Sequence, residues 1–66
     1  MFTITTINAH SGAPIAYIES VVREHSYAEA CRVAWNKAQD VRSAGIEAVI
    51  TITSSEDTGM EESITV

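Results

Sequence analysis

The strongest local signal in the chain is a single helical segment, and it limits what the residues on either side can form. The run from Ser26 to Glu29 fits a capping box, in which the serine side chain accepts a hydrogen bond from the amide three residues on and the glutamate reaches back. Gly45 is placed to end the helix with a left-handed residue. We therefore predict one helix from Tyr27 to about Ser43.

The apolar residues of this helix mark the face that enters the core. They recur at steps of four, three, four and three, which places them on one side of a helix: Tyr27, Cys31, Ala34, Ala38 and Val41. Alanines on this side allow the helix backbone to approach a sheet closely. Cys31 falls within the stripe, so we expect it to be buried as a small hydrophobic side chain.

Four segments rich in β-branched residues surround the helix and are typical of strands. Phe2 and Ile4 begin the first with the alternation of a half-buried strand. The second carries apolar residues on both faces and therefore offers a partly apolar outer surface. The predicted strands are residues 2–8, 15–24, 46–54 and 60–66, with turns near 8–14 and 55–59. The expected fold class is α+β, an antiparallel sheet of about four strands in ββαββ order with one helix packed on one face.

The length of 66 residues allows one domain, residues 1–66, with a small core. A single cysteine cannot form an internal disulfide, so a second copy or a larger partner is a reasonable source of added stability. The N-terminal run lacks the pattern of a signal peptide. No segment approaches the roughly 20 apolar residues that span a bilayer. The chain is expected to be cytoplasmic.

The excess negative charge is confined to the last part of the chain. Residues 1–46 hold four carboxylates and four Lys or Arg side chains, whereas residues 47–66 hold five carboxylates and no Lys or Arg, which accounts for the net charge of −5. The five are Glu47, Glu56, Asp57, Glu61 and Glu62. Such a surface repels nucleic acid, because phosphate binding needs Lys and Arg. It attracts a basic protein surface, or it serves only to keep the chain soluble.

Residues suited to catalysis or metal binding do not form a pattern. Cys31 with His10 or His25 has the residue types of a nucleophile and its base, but the cysteine belongs to the core stripe. Two histidines and one cysteine without paired spacing leave a zinc site short of ligands. We expect no enzymatic activity, no metal and no cofactor.

The predicted contact residues combine the acidic segment with two aromatic side chains. Alternate residues of a strand lie about 6.7 Å apart, close to the spacing of phosphates along one nucleic-acid strand. Glu47, Glu61 and Glu62, with the loop residues Glu56 and Asp57, are thus a candidate array for an Arg/Lys groove. Tyr17 and Trp35 are candidate anchors, because aromatic residues are frequent in binding hot spots; Trp35 lies one step off the helical stripe.

In its short length, its acidity and its arrangement of strands around one helix, the chain resembles the small phage-encoded anti-CRISPR proteins that inhibit type I surveillance complexes. The closest local similarity is the capped, alanine-rich run from Ser26 to Ala34. The resemblance implies a stoichiometric inhibitor that docks on a basic, DNA-recognising surface in the host cytoplasm, by mimicry of DNA or by steric cover. The competing interpretation is a structural or regulatory homodimer.

Overall fold

The computed structural model describes residues 1–56 and 59–66, which form four strands and one helix in the order ββαββ. The elements are β1 (Phe2–Asn8), β2 (Val21–Glu24), α1 (Tyr27–Ser43), β3 (Ala48–Ser54) and β4 (Glu61–Thr65). The predicted α+β class is confirmed. So are the bounds of the helix and of the first strand.

The sheet has the strand order β2-β1-β3-β4, and each neighbouring pair is antiparallel. Since β1 lies between β2 and β3, these two strands run parallel to each other. Parallel strands need a crossover connection rather than a tight turn, and α1 provides it. The helix is therefore held across one face of the sheet.

The core lies between α1 and the two central strands. Ile4, Ile50 and Ile52 are buried against Ala30, Ala34 and Ala38 of the helix. β1 and β3 alternate between buried and half-buried residues along most of their length, because only one face of each strand is covered. A second cluster, formed by Ile15, Val41 and Ala48, closes the end of the sheet where α1 terminates.

The start of α1 follows the prediction in one half of its capping box. Ser26 has extended backbone angles, and its Oγ accepts a hydrogen bond from the Glu29 amide at 3.1 Å. The reciprocal contact differs, because the Glu29 carboxylate accepts hydrogen bonds from Arg32 instead. A charged guanidinium is a stronger partner for a carboxylate than a backbone amide.

The end of α1 is a Schellman motif. The Ile46 amide donates to the Val41 carbonyl at 2.9 Å, and the Gly45 amide donates to Arg42 at 3.1 Å. Gly45 has a φ of 71°, which is left-handed backbone that suits glycine. Ile46 packs against the cluster that contains Val41, so the motif joins the helix end to the core.

The predicted second strand is wrong over residues 15–20. Only Val21–Glu24 forms strand, and the preceding residues form a turn in which the Ile18 amide donates to the Ile15 carbonyl at 3.2 Å. The apolar residues of this segment do not alternate cleanly. Ile15 and Ile18, three residues apart, both pack at the Val41 cluster, while Tyr17 is left 96% exposed.

Candidate functional site

A groove runs along the seam between α1 and the edge strand β4. α1 packs over β3, β1 and β2, so β4 lies beside the helix rather than beneath it. Two adjoining cavities, of about 410 Å³ and 440 Å³, follow this seam. We call it the α1–β4 groove; its main lining residues are Tyr27, Cys31, Trp35, Glu62, Ile64 and Val66.

Trp35 stands in the middle of the groove. Its side chain lines both cavities and is 61% exposed. Ile64 lines both cavities as well, and Val66 lines the second; both residues are half-buried and pack against the core. A large aromatic ring is thus presented to solvent from a base of aliphatic side chains, and Trp is among the residue types most enriched in binding hot spots.

The helix is rotated slightly from the predicted orientation. Its buried residues are Ala30, Ala34, Ala38 and Val41, whereas Tyr27 is 41% exposed and Cys31 is half-buried. The expectation of a buried Cys31 was therefore wrong in degree. The alanines lie closest to the sheet because a small side chain permits the closest backbone approach. The larger Tyr27 and Cys31 turn toward the groove.

At the end of the groove where α1 begins, a tyrosine is hydrogen-bonded to a carboxylate. Tyr27 Oη donates a hydrogen bond to Glu62 Oε2. The ring of Tyr27 also meets that of Phe2 edge to face, with centroids 5.7 Å apart. The hydrogen bond to Glu62 raises the pKa of Tyr27 well above its usual value, and Cys31 adds to the shift. Ionisation of the phenol would place two negative charges together.

The end of the groove where α1 terminates carries a positive charge. Gln39 and Arg42 from the last turns of α1 line it with Val66. The groove therefore has an apolar floor with a carboxylate at one end and a guanidinium at the other. Its polar groups are suited to orienting a bound segment, while Trp35 and Ile64 supply contact area.

The structure separates the acidic residues that were predicted to act together. Glu61 and Glu62 are successive residues of β4 and therefore point to opposite faces of the sheet. Glu56 approaches the N-terminal amine of Met1 at 3.9 Å. Glu47 lies beyond the other end of β3, where its carboxylate meets His10 Nε2 at 2.5 Å. Asp57 lies outside the described residues.

The two predicted aromatic anchors also lie in different places. Trp35 and Glu62 line the same cavity, so the structure brings this predicted pair together. Tyr17 belongs to the connection between β1 and β2, which packs through Ile15 and Ile18 near the end of α1. It is not among the residues that line the groove.

Sequence reasoning missed Tyr27, Cys31 and Ile64 as parts of the site. A signal for the first two was present, because Tyr27, Cys31 and Trp35 recur at steps of four and form a second stripe beside the alanines. The participation of Ile64 depends on β4 lying at the sheet edge next to α1. Strand order is a long-range property that no local pattern in this chain specifies.

The part of the chain that the structure describes holds neither a metal-binding cluster nor a membrane-spanning helix. Among residues 1–56 and 59–66, no group of three or more His, Cys, Asp or Glu side chains is placed to hold a metal ion. No helix in this part of the chain is long and apolar enough to cross a lipid bilayer. No protein-family model, curated protein or solved structure gives a significant match to the chain.

Proposed function

We propose that this protein is a non-enzymatic inhibitor that binds a basic protein surface through the α1–β4 groove. The observation that carries the proposal is the exposure of Trp35 above the half-buried Ile64 and Val66. An indole ring held largely in water forgoes the stabilisation that its burial would provide. A partner that covers this ring removes apolar area from solvent.

Charge selects a basic partner. The net charge is −5, and three of the predicted contact carboxylates, those of Glu56, Glu61 and Glu62, belong to the end of the molecule where α1 begins. A partner segment that presents an apolar side chain to Trp35 and a basic side chain toward Glu62 matches this end of the groove. The wider negative field would speed association with an Arg/Lys-lined surface.

The resemblance to anti-CRISPR proteins supplies a defined partner, the DNA-recognising surface of a type I CRISPR surveillance complex. Of the two modes that the resemblance implies, steric cover fits the geometry better than mimicry of DNA. A mimic needs carboxylates in one row, whereas Glu61 and Glu62 point to opposite faces of the sheet and Glu47 lies at the far end of β3, beside His10.

The glutamates of β4 also have a simpler explanation. β4 is an edge strand, and charged side chains on an edge discourage pairing with other chains. Protection of the sheet edge does not explain why Trp35 is exposed. Binding measurements on separate Trp35 and glutamate variants therefore distinguish it from the proposed function.

The experiment measures binding to purified type I surveillance complexes at several salt concentrations, with Trp35→Ala and Glu62→Lys as test variants. Tyr17→Ala is the matched control, since it also removes an exposed aromatic ring but lies outside the groove. We expect Trp35→Ala to weaken binding by about 30-fold, the effect of a hot-spot residue worth about 2 kcal/mol. Glu62→Lys should mainly slow association at low salt.

Two results would overturn the proposal in different parts. Absence of binding to every type I complex tested would remove the assigned partner. Equal binding by wild type and Trp35→Ala, with a loss in Tyr17→Ala, would move the contact surface from the groove to the β1–β2 connection.

A further inference from the structure

The face of the sheet opposite α1 has its own pattern of side chains. Directly paired residues of antiparallel strands point to the same face, and Ile4 and Ile52 point toward α1. Their neighbours Thr3, Thr5, Thr51 and Thr53 therefore point the other way. We call this surface the open face; its residues in β1 and β3 are Thr3, Thr5, Ile7, Val49, Thr51 and Thr53.

The described residues leave this face partly open, because its six residues in β1 and β3 are half-buried rather than buried. α1 lies on the other side of the sheet. The connection between β1 and β2 also packs on that side, where Ile15 and Ile18 belong to the Val41 cluster. Neither Ile7 nor Val49 is among the side chains that pack in the two core clusters. Pairs of β-branched residues thus remain available on a surface that a second sheet can cover.

One row of the open face ends in opposite charges. Arg23 pairs with Thr3, Thr3 pairs with Thr53, and Thr53 pairs with Glu61, so a single row crosses all four strands. Its ends are three strand spacings apart, about 14 Å, which is too far for a direct ion pair. Neither Arg23 nor Glu61 forms a salt bridge with another described residue.

We propose that the open face binds the open face of a second copy of this chain. The two copies are related by a twofold axis that runs parallel to the strands in the gap between the two sheets, over the line midway between β1 and β3. Rotation about this axis turns the sheet over and reverses its strand order. β2 then lies over β4 of the second copy, and the charged row lies over its own reversed copy. Arg23 meets Glu61 of the second copy, and the same contact forms again by symmetry.

The other rows agree with this arrangement. Thr5 pairs with Thr51 and Ile7 pairs with Val49 across the centre of the sheet. The same rotation therefore places Ile7 over Val49 of the second copy, and threonine over threonine. Face-to-face sheets pack about 10 Å apart with mean strand directions within about 30°, a gap that arginine and glutamate side chains span. The dimer has four layers, with the helices outside.

The size of the face makes the association weak. Four strands and three rows cover roughly 300–400 Å² of each copy, about half of the roughly 800 Å² per partner in a standard stable interface. The negative charge of each copy adds repulsion that salt reduces. We therefore expect a dimer that forms only at high protein concentration, and more readily as salt is raised moderately.

Complementary charge variants provide a decisive test. Sedimentation of the full chain, from micromolar to millimolar concentration, is measured for wild type, Arg23→Glu, Glu61→Arg and an equal mixture of the two variants. Each variant alone replaces two attractive contacts by two repulsive ones. The dissociation constant of its dimer should therefore rise by about ten-fold or more. In the mixture both contacts are attractive again, and dimers should reappear as heterodimers.

Two further variants make the same charge changes away from the open face. Arg32→Glu lies on α1 and Glu56→Arg follows β3, and both should dimerise to nearly the extent of the wild type. A wild type that stays monomeric at millimolar concentration would overturn the proposal. So would charge variants that dimerise unchanged, or a mixture that regains no association.

Discussion

At the scale of single side chains, Thr6 is out of keeping with its surroundings. It is 1% exposed on the helix-facing side of β1, and its Oγ1 has no hydrogen-bond partner among the described residues. A buried hydroxyl without a partner lowers stability. Thr6→Val keeps the shape and removes the hydroxyl, so we expect the free energy of unfolding to rise by about 1 kcal/mol. Chemical denaturation measures the change.

The neighbouring Thr5 is the control for this substitution. Thr5 is half-buried on the open face, where its hydroxyl is not confined to an apolar interior. Thr5→Val should change the unfolding free energy by less than about 0.5 kcal/mol, measured at low concentration to avoid association. Equal effects of the two substitutions would show that Thr6 gains from β propensity rather than from loss of the hydroxyl.

The contact between Tyr27 and Glu62 predicts a pH effect of defined sign. The pKa of Tyr27 is raised in the folded chain by its hydrogen bond to Glu62. The contribution of this contact to stability is therefore complete below the unfolded-state value of about 10 and is lost as the pH rises through the folded pKa. In a Tyr17→Phe background, where Tyr27 is the remaining tyrosine, phenolate absorbance reports this titration directly.

Glu62→Gln should lower the pKa of Tyr27 toward its usual value, because a neutral amide accepts the hydrogen bond of the phenol less strongly than the carboxylate does. Glu61→Gln removes the same charge from the adjacent residue, whose side chain points to the open face. It should leave the titration of Tyr27 nearly unchanged. A similar shift in both variants would mean that general charge, rather than the hydrogen bond, holds the phenol neutral.

At the scale of elements, the start of α1 depends on Ser26. Its Oγ accepts from the Glu29 amide, one of the helix-terminal amides without an intrahelical acceptor. Ser26→Ala should lower the free energy of unfolding by about 0.5–2 kcal/mol. Ser26→Asp restores an acceptor and should recover most of the loss. Denaturation midpoints of the three proteins give the comparison, and equal midpoints for serine and alanine would contradict it.

The other end of α1 depends on backbone conformation alone. Gly45 has a φ of +71°, and a Cβ added there would meet nothing within 4 Å. Gly45→Ala should therefore destabilise the fold by about 1–2 kcal/mol through the left-handed conformation itself. Gly45→Asn should cost less, because asparagine tolerates this region better. Thermal melting of both variants tests the order; equal losses would point to a steric cause.

The elements differ in how well the sequence predicts them, for a physical reason. α1 carries its own start and stop signals at Ser26 and Gly45, so local chemistry determines its bounds. Residues 15–20 have apolar side chains suited to either a strand or a turn, and the outcome depends on the distant Val41 and Ala48. Of the residues that line the groove, only Trp35 and Glu62 were among the predicted contact residues, since the position of β4 beside α1 arises from strand order.

At the scale of the whole molecule, position along the chain does not translate into position on the surface. Five carboxylates without a Lys or Arg lie in the last 20 residues of the sequence, yet Glu47 and Glu56 flank opposite ends of β3. Successive strands of an antiparallel sheet run in opposite directions, so residues that are close in sequence can lie at opposite ends of the sheet. Within a strand, side chains alternate between the two faces, which separates neighbours such as Glu61 and Glu62. The distribution of charge along the sequence predicts the net electrostatic field of the molecule. To predict which charged side chains share one face, the register of the strands must also be known.

The sheet separates the two proposed surfaces, and this separation yields a test that needs no partner. Cys31 is the single cysteine and lines the groove, while the proposed dimer buries the opposite face. The rate of Cys31 alkylation should therefore stay constant from micromolar to millimolar protein, even where sedimentation shows dimers. A rate that falls as dimers form would place the groove in the dimer interface. Arg23→Glu, which disfavours the open-face dimer, provides the monomeric reference rate.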